Sequence, residues 1–380
     1  MAEGSTRTTK SPGTASPNYC GNERISKIYC GATEVIKGYC GTELFFSFAP
    51  AGPTAPATAP TQVRVARLTG TGTPKLGATV IGTSASFYSY GGRHSSSYLS
   101  SLEQISIANT TATRTARTLS RSIGSNAYYG AVGDLTSGII FFGYNGSNLS
   151  AINKLDFNTA PANVTATQLT HTGTAPAQHV PIVIGDLTSG FMFGGRSAWP
   201  PNLGDFYWYV VSGNNITTTT MTKAGAAIPI LSSCAIVGDK TSGIIFGGVN
   251  ASLTVVNTFY KYTISGSTIT LTLLTRSGAT PHGVYASSMI GNADFGIIFG
   301  GSVGTGNASS QLSNQFRYYK VDGNTITLTA LTRLGTNITG RRYASMIGDP
   351  NHLGGIIYSG DIGSNTGSND IYSFDAVIPA

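Results

Sequence analysis

An apolar segment recurs about every fifty residues, and this period constrains the fold more than any other feature of the chain. A typical copy reads GIIFGG, and the divergent first copy reads FYSYGG. The copies begin at Phe87, Gly138, Gly190, Gly243, Gly296 and Gly355, with spacings of 51, 52, 53, 53 and 59 residues. Such a period is typical of repeat architectures in which each copy is one supersecondary unit.

Each copy contains four segments with strand character. A run such as AIVGD comes first, and a short turn leads to the apolar segment, which lacks charge and is expected to be buried on both faces. A variable loop then leads to an alternating aromatic segment such as TFYKYTI, and a glycine turn leads to a threonine-rich segment such as TITLTLLT. Four strands in each of six copies predict an all-β, six-bladed β-propeller.

The two ends of the repeat array complement each other. VRVARLT, with Val63, Val65 and Leu68, matches the fourth strand of a copy, whereas the last copy stops after its third strand, DIYSFD. We therefore predict that the N-terminal strand closes the last blade and removes the open sheet edges.

The glycine pair after the apolar strand, the following aromatic strand and a Leu-Thr near the end of each copy resemble the kelch motif. Examples are Gly247-Gly248, with Tyr260 and Tyr262 on the aromatic strand. The resemblance covers roughly residues 62–375 and implies a kelch-like propeller. It departs from the family late in the repeat, where Leu273, Leu274 and Leu331 stand near the position that usually holds tryptophan.

Four segments follow from composition. Residues 1–17 are small and polar and are expected to be flexible. Residues 18–48 carry a ten-residue repeat, residues 49–61 form an Ala/Pro/Thr linker, and residues 62–376 form the propeller. The N-terminus lacks the hydrophobic core of a secretory signal, and no apolar run approaches a membrane span, so we expect synthesis in a cytoplasm and no membrane insertion.

The residue types give little support to catalysis, metal binding or nucleic-acid binding. The formal charge of +7 comes from scattered residues, not from a basic cluster, so no nucleic-acid partner is predicted. The histidines show no metal-ligand spacing, and Cys234 is expected to be a small buried residue. Asp134, Asp186 and Asp239 recur at the same turn and are expected to cap it. We therefore predict a protein with no catalytic residues, no metal and no cofactor.

The loop after the glycine pair varies most among the copies, and all copies of it should emerge on one face of the ring. The third copy holds the richest set, namely Arg196, Trp199, Asn202 and Asp205, in which Trp199 can stack on a sugar ring or pack on its own loop. His94 and Tyr98, in the first copy, are candidates for the same binding face. The following strand, DFYWYVV, is expected to pack within its blade.

Tyr-Cys-Gly occurs at Tyr19, Tyr29 and Tyr39, in ten-residue units that suit a short strand and a turn. Thirty residues bury too little apolar surface to be stable alone, so this segment is expected to bind copies of itself or another protein. Three states of Cys20, Cys30 and Cys40 remain open: disulfides between subunits or to a neighbouring protein, buried free thiols, and a zinc site, which this spacing disfavours.

The pattern ISKIYCGATEVIKGYCGTELFF resembles a repeat of bacteriophage tail, fibre and neck proteins. The resemblance implies a docking segment that binds other virion proteins, in a homo-oligomeric protein assembled in the host cytoplasm and released by lysis. We therefore predict a non-enzymatic virion structural protein whose propeller contacts host-surface glycan. An intracellular kelch-type adaptor and a glycan-processing enzyme are the alternatives.

Overall fold

The computed structural model describes the backbone of residues 19–20, 23–24, 36–40 and 43–48, and residues 54–128, 130–147, 149–158, 163–174, 182–195, 204–281, 283–305, 308–349 and 353–378. The chain divides into two compact units, Met1–Thr54 and Ala55–Ala380. The boundary lies inside the Ala/Pro/Thr segment. The last residues of that segment belong to the second unit, where Ala55 and Ala59 pack against a hydrophobic cluster.

The N-terminal unit contains two antiparallel strand pairs, and in each pair the first strand ends at a Tyr-Cys dipeptide. The pairs are Tyr19–Cys20 with Glu23–Arg24, and Ile36–Cys40 with Glu43–Phe48. In both pairs the cysteine lies opposite the glutamate three residues later. Two of the three Tyr-Cys-Gly copies thus end a strand, and Cys30 lies outside the described residues.

The second unit consists of antiparallel four-stranded sheets that follow the sequence repeats. The first strands are Thr79–Gly82, Gly130–Gly133, Ile182–Gly185, Ala235–Gly238, Ser288–Gly291 and Ser345–Asp349. The second strands are Ser86–Tyr90, Ser137–Phe141, Ser189–Phe193, Ser242–Phe246, Phe295–Phe299 and Gly354–Tyr358. The third strands are Leu102–Ala108, Ile152–Asp156, Phe206–Ser212, Phe259–Ser265, Phe316–Asp322 and Ile371–Val377. The fourth strands are Thr111–Leu119, Asn163–Gln168, Asn215–Thr220, Thr268–Leu273, Thr325–Gly335 and Gln62–Arg67.

The first strands are neighbours in chain order, and the last, Ser345–Asp349, contacts the first, Thr79–Gly82, so they surround a central channel. The second strands are almost completely buried, as their lack of charge predicts. The unit is therefore an all-β, propeller-like ring. A short 3-10 helix at Ser309–Gln311 is the only helix in the described part of the chain, which thus contains no helix long and apolar enough to cross a membrane.

Each repeat also receives a parallel strand that the sequence analysis did not anticipate. After a fourth strand, the chain continues along the outer edge of the next repeat and pairs there in parallel. Examples are Thr222–Gly225 beside Thr268–Leu273, and Thr275–Gly278 beside Thr325–Gly335. Thr170–Gly173 is a further such strand, and the ends of Thr111–Leu119 and Thr325–Gly335 pair in the same way. These overlap strands cover the sheet edges that four-stranded blades would leave open.

The N-terminal strand of the second unit completes the last repeat. Gln62–Arg67 pairs antiparallel with Ile371–Val377 on one side and in parallel with the end of Thr325–Gly335 on the other. Val63 and Val65 are buried in the cluster that joins the fifth and last repeats, and Leu68 is buried at the contact between the last and first repeats.

Aspartates cap the turns between first and second strands, as predicted. Oδ1 of Asp134 accepts hydrogen bonds from the N–H groups of Thr136 (2.7 Å) and Ser137 (3.0 Å), and Asp186 and Asp239 repeat this geometry. Tyrosines of the third strands support the same turns from within the sheet. The hydroxyl of Tyr209, for example, donates to the carbonyl of Asp186 at 2.8 Å. These carboxylates therefore have a structural role.

Candidate functional site

Glycine pairs join neighbouring repeats at one end of the ring, where the variable loops begin; we call this end the loop face. The N–H of the second glycine donates to a carbonyl of the next repeat: Gly92 to Asn126, Gly248 to Val284 and Gly301 to Arg341 (2.8 Å each), and Gly360 to Lys75 (3.1 Å). Gly247, the first glycine of its pair, has φ of 69°, and a Cβ there would lie 2.2 Å from the carbonyl oxygen of Val284. The sequence therefore needs glycine where adjacent backbones meet.

A belt of left-handed residues surrounds the channel at the loop face, two positions before each first strand. Its described members and their φ values are Gly77 (60°), Tyr128 (62°), Ser233 (54°), Ala286 (55°) and Tyr343 (54°). Their N–H groups bond around the ring: Tyr128 donates to Gly77 O (2.8 Å), Ala286 to Ser233 O (2.8 Å) and Tyr343 to Ala286 O (3.0 Å). A bulky residue with positive φ is unusual, so these bonds hold two tyrosines in a strained conformation at the channel entrance.

Five tyrosines gather at this entrance, and we call them the tyrosine mouth: Tyr98, Tyr128, Tyr144, Tyr285 and Tyr343. The Tyr343 ring lies edge-on to Tyr128 (5.1 Å between centroids) and to Tyr285 (5.7 Å), and the Tyr285 and Tyr343 hydroxyls are hydrogen-bonded. Tyr98 packs edge-on against Tyr144 at 5.8 Å. The mouth therefore holds two groups of edge-on rings, Tyr98 with Tyr144 and Tyr343 with Tyr128 and Tyr285.

Two arginines accompany these rings. The guanidinium carbon of Arg342 lies 5.6 Å from the ring centroids of both Tyr285 and Tyr343, and Arg93 lies 5.7 Å from that of Tyr98. Arg342 is buried and forms an ion pair with Asp361 at 3.0 Å. Asp361 also accepts a hydrogen bond from the Gly363 N–H at 2.9 Å. The charged groups of the mouth are thus arranged to fix the rings and to donate hydrogen bonds.

Burial raises the pKa of both Tyr128 and Tyr343 far above the ordinary value of 10. Their hydroxyls therefore stay protonated at neutral pH and can donate hydrogen bonds, but they cannot act as bases. A surface of neutral phenols suits stacking and hydrogen bonding to a ligand ring. In the described part of the chain, no three His, Cys, Asp or Glu side chains meet in a way that could hold a metal ion.

The opposite end of the channel is chemically different. A cavity of about 330 Å³ lies there, lined by the first strands and the glycines that end them. Its side chains are aliphatic or contain methionine: Val80, Ile81, Ala131, Val132, Val237, Met289, Ile290, Met346 and Ile347.

The binding residues predicted from the sequence differ in where the structure places them. Tyr98 belongs to the tyrosine mouth, and His94 lies in the same short hairpin, where its Nδ1 is buried without a hydrogen-bond partner among the described residues. Asp205 is exposed and pairs with Lys223 at 2.9 Å. Arg196, Trp199 and Asn202 lie outside the described residues, and no side-chain geometry is described for Cys20, Cys30 and Cys40.

Two predictions about packing are confirmed. Phe206 and Tyr209, on the strand DFYWYVV, are fully buried, and Phe206 stacks on Phe193 at 4.1 Å. Cys234 is buried against Gly248, and burial raises the pKa of its thiol to about 12. Neither segment therefore offers reactive groups to the loop face.

The sequence analysis missed Tyr128, Tyr285, Tyr343 and Arg342. A usable signal exists, because Tyr128 and Tyr343 occupy the repeat position that holds Gly77 in the first copy. Glycine in one copy and tyrosine in others indicate a position whose left-handed backbone conformation is kept while its side chain varies. That combination is typical of a scaffold position that carries function.

Comparison with known proteins supports the fold alone. No protein-family model and no curated protein matches the chain. Among solved structures, one titled "Structure of YjhT" matches with a TM-score of 0.58 and 12% sequence identity, covering 80% of this chain and 95% of that one. The two chains therefore share a fold, and at this identity the likeness carries no information about activity.

Proposed function

We propose that this chain is a non-enzymatic bacteriophage structural protein whose kelch-like propeller, of six blades, binds host-surface glycan at the tyrosine mouth. Residues 18–48 anchor it to other virion proteins, with copies of itself beside it. The phage-like pattern of this segment and its paired strands at two Tyr-Cys-Gly copies support the anchoring part of the proposal. The glycine pairs and the ring of first strands support the kelch-like, six-bladed part.

The tyrosine mouth is the observation that carries the binding function. Sugar rings present apolar faces edged by hydroxyls, and the mouth offers protonated phenols beside the guanidinium group of Arg93. Its only described carboxylate, Asp361, is already bound by Arg342 and the Gly363 N–H. These groups favour holding a ligand over proton transfer to it.

Glycan binding is tested with Tyr98→Ala, which removes a half-buried ring outside the left-handed belt. We expect roughly fivefold weaker binding to host-surface glycan and slower particle adsorption, since an aromatic contact contributes about 1 kcal/mol. The matched control is Val210→Ala, an exposed side chain (47%) on a third strand. If the wild type, Tyr98→Ala and Val210→Ala supported equal adsorption, the tyrosine mouth would have no part in host binding. Release of sugar products from the glycan would contradict the non-enzymatic role.

The virion location is tested independently by deleting residues 18–48. We expect the full chain in purified particles and the shortened chain folded but absent from them, because the propeller-like unit is compact without the N-terminal unit. Mass spectrometry of the particles measures whether each chain is present, and circular dichroism of the free protein measures whether it is folded. A full-length chain missing from particles would overturn the anchoring role.

A further inference from the structure

Arg117 interrupts a rule that the other repeats obey. In the other repeats, the residue that lies opposite the first residue of the third strand is apolar and buried. In the first repeat this residue is Arg117, which lies opposite Leu102. The equivalent residues are Leu68, Leu169, Met221, Leu274 and Leu331, each at most 8% exposed. The first repeat has therefore exchanged a hydrophobic anchor for a cation.

A cavity of about 400 Å³ lies beside this exchange, and we call it the Arg117 cleft. Its polar lining includes Ser101, Glu103, Arg117, Arg121 and Ser122. The volume falls within the range of small-molecule sites. Ser101 ends the loop that carries His94 and Tyr98, so the cleft opens on the loop face, the same face as the tyrosine mouth.

Arg117 is only partly satisfied within the chain. It donates one hydrogen bond to Gln104, but its Nε is buried and has no partner among the described residues. Arg121, across the cleft, donates to Gln168 at 3.0 Å. A guanidinium group has five donors in a planar fork, so both arginines keep donors for an anion.

Glu103, the one carboxylate in the lining of the cleft, is already paired with two cations. Glu103 lies 2.8 Å from Nζ of Lys75 and 3.6 Å from Nη1 of Arg114, and both cations are almost fully buried. The lining of the cleft itself holds the two cations Arg117 and Arg121, while the charge of Glu103 is balanced by Lys75 and Arg114. The field in the cleft therefore favours an anionic ligand.

We propose that the Arg117 cleft binds the acidic group of a glycan, a carboxylate or a sulfate, while neighbouring serines contact the sugar hydroxyls. Charge-assisted bonds from guanidinium groups to such oxyanions are among the stronger hydrogen bonds in proteins. This inference rests on the proposed glycan binding and specifies its ligand class. The tyrosine mouth then holds sugar rings, and the cleft selects for charge.

The test compares a galacturonic acid trimer with its methyl ester, by calorimetry on the full-length protein. We expect the acid to bind at least tenfold more tightly than the ester. Arg117→Leu restores the residue type of the other repeats, so it should fold normally and should abolish the preference for the acid. The control Arg276→Leu removes the same charge from an exposed overlap strand and should keep the preference.

The proposal would be overturned by equal affinities for acid and ester, or by Arg117→Leu behaving like the wild type. Equal loss in Arg276→Leu would do the same, because it would show general charge attraction. The proposed function fails separately. Suppose that Arg117→Leu loses acid binding but Tyr98→Ala leaves particle adsorption unchanged. The cleft would then remain an acid-binding site, and host binding by the tyrosine mouth would be rejected.

Discussion

Two contacts that hold neighbouring repeats together differ in chemistry, because one is apolar and the other is largely polar. The joint between the third and fourth repeats is apolar, with Phe191 edge-on to Tyr262 at 5.1 Å inside one hydrophobic cluster. The seam between the last and first repeats also has an aromatic pair, Phe87 and Tyr358 at 5.4 Å. Hydrogen bonds and ion pairs surround that second pair.

The polar groups of the seam connect distant parts of the chain. The Tyr358 hydroxyl accepts hydrogen bonds from Ser89 (3.1 Å) and Arg114 (3.3 Å), and Arg114 also donates to the Asn369 carbonyl at 2.8 Å. Within the last repeat, Asp370 pairs with Arg67 of the N-terminal strand at 2.5 Å and lies 3.7 Å from Arg341. The joint connects repeats adjacent in sequence, whereas the seam connects chain ends and uses directional bonds that fit one partner only.

The largest expected effect is at the seam. Glu103→Ala leaves Lys75 and Arg114 buried without their carboxylate and should lower the free energy of unfolding by about 3–5 kcal/mol. Urea denaturation measures the change. The paired variant Lys75→Met/Glu103→Leu should recover part of the loss, because it also removes the fully buried ammonium group and leaves only Arg114 without its carboxylate. A loss below about 1 kcal/mol in the single variant would show that these ion pairs contribute little to stability.

The apolar joint should tolerate a smaller side chain better. Phe191→Leu keeps the site hydrophobic and should cost about 1–2 kcal/mol through lost packing. A double-mutant cycle with Tyr262→Leu should give a coupling energy of about 1 kcal/mol for the ring pair. A cost above that of Glu103→Ala would reverse the ranking of the two contacts.

Tyr358→Phe introduces into the seam the residue that ends the second strand in most other repeats. It removes one hydroxyl and should cost about 0.5–1.5 kcal/mol, because the donors Ser89 and Arg114 each lose a partner. Thermal unfolding of this variant is best compared with that of Phe246→Leu, in an apolar contact. A more stable Tyr358→Phe protein would mean that the hydroxyl contributes no stability.

The smallest effect is a pH dependence of the ion pairs within the last repeat. Burial acts to raise the pKa of Asp370, but the Ser368 hydroxyl, Arg341 and Arg67 outweigh it and lower the pKa below the ordinary 3.8. A lowered folded-state pKa means that this stabilisation is complete above about pH 4 and is lost as pH falls through the lower value. Asp370→Asn should therefore flatten the stability profile below pH 4, and an unchanged acid slope would contradict this role.

Local pattern predicted much of the fold. The fifty-residue period indicated the strands of each repeat, and the apolar segments and aspartate turns lie where their composition suggested. The overlap strands escaped notice because a segment such as Thr222–Gly225 is exposed at every residue and pairs with the next repeat through its backbone. Pairing of that kind leaves no hydrophobic period to detect.

The candidate site was partly predictable for a related reason. Tyr98 stood out because its loop varies among the copies, whereas Tyr128 and Tyr343 adjoin first strands and look like their continuation. Arg117 was hidden inside a threonine-rich strand. It becomes conspicuous only when the repeats are aligned by their observed strand register, which shows that its equivalents are all apolar.

The position of Gln62–Arg67 has a mechanical consequence. This strand has hydrogen-bonded neighbours on both sides, Ile371–Val377 and the end of Thr325–Gly335. A pull transmitted through the preceding chain acts along the strand axis and loads both rows of bonds in shear, so they must break together and not one after another. Two rows of hydrogen bonds therefore hold this strand against a pull from the residues that precede it.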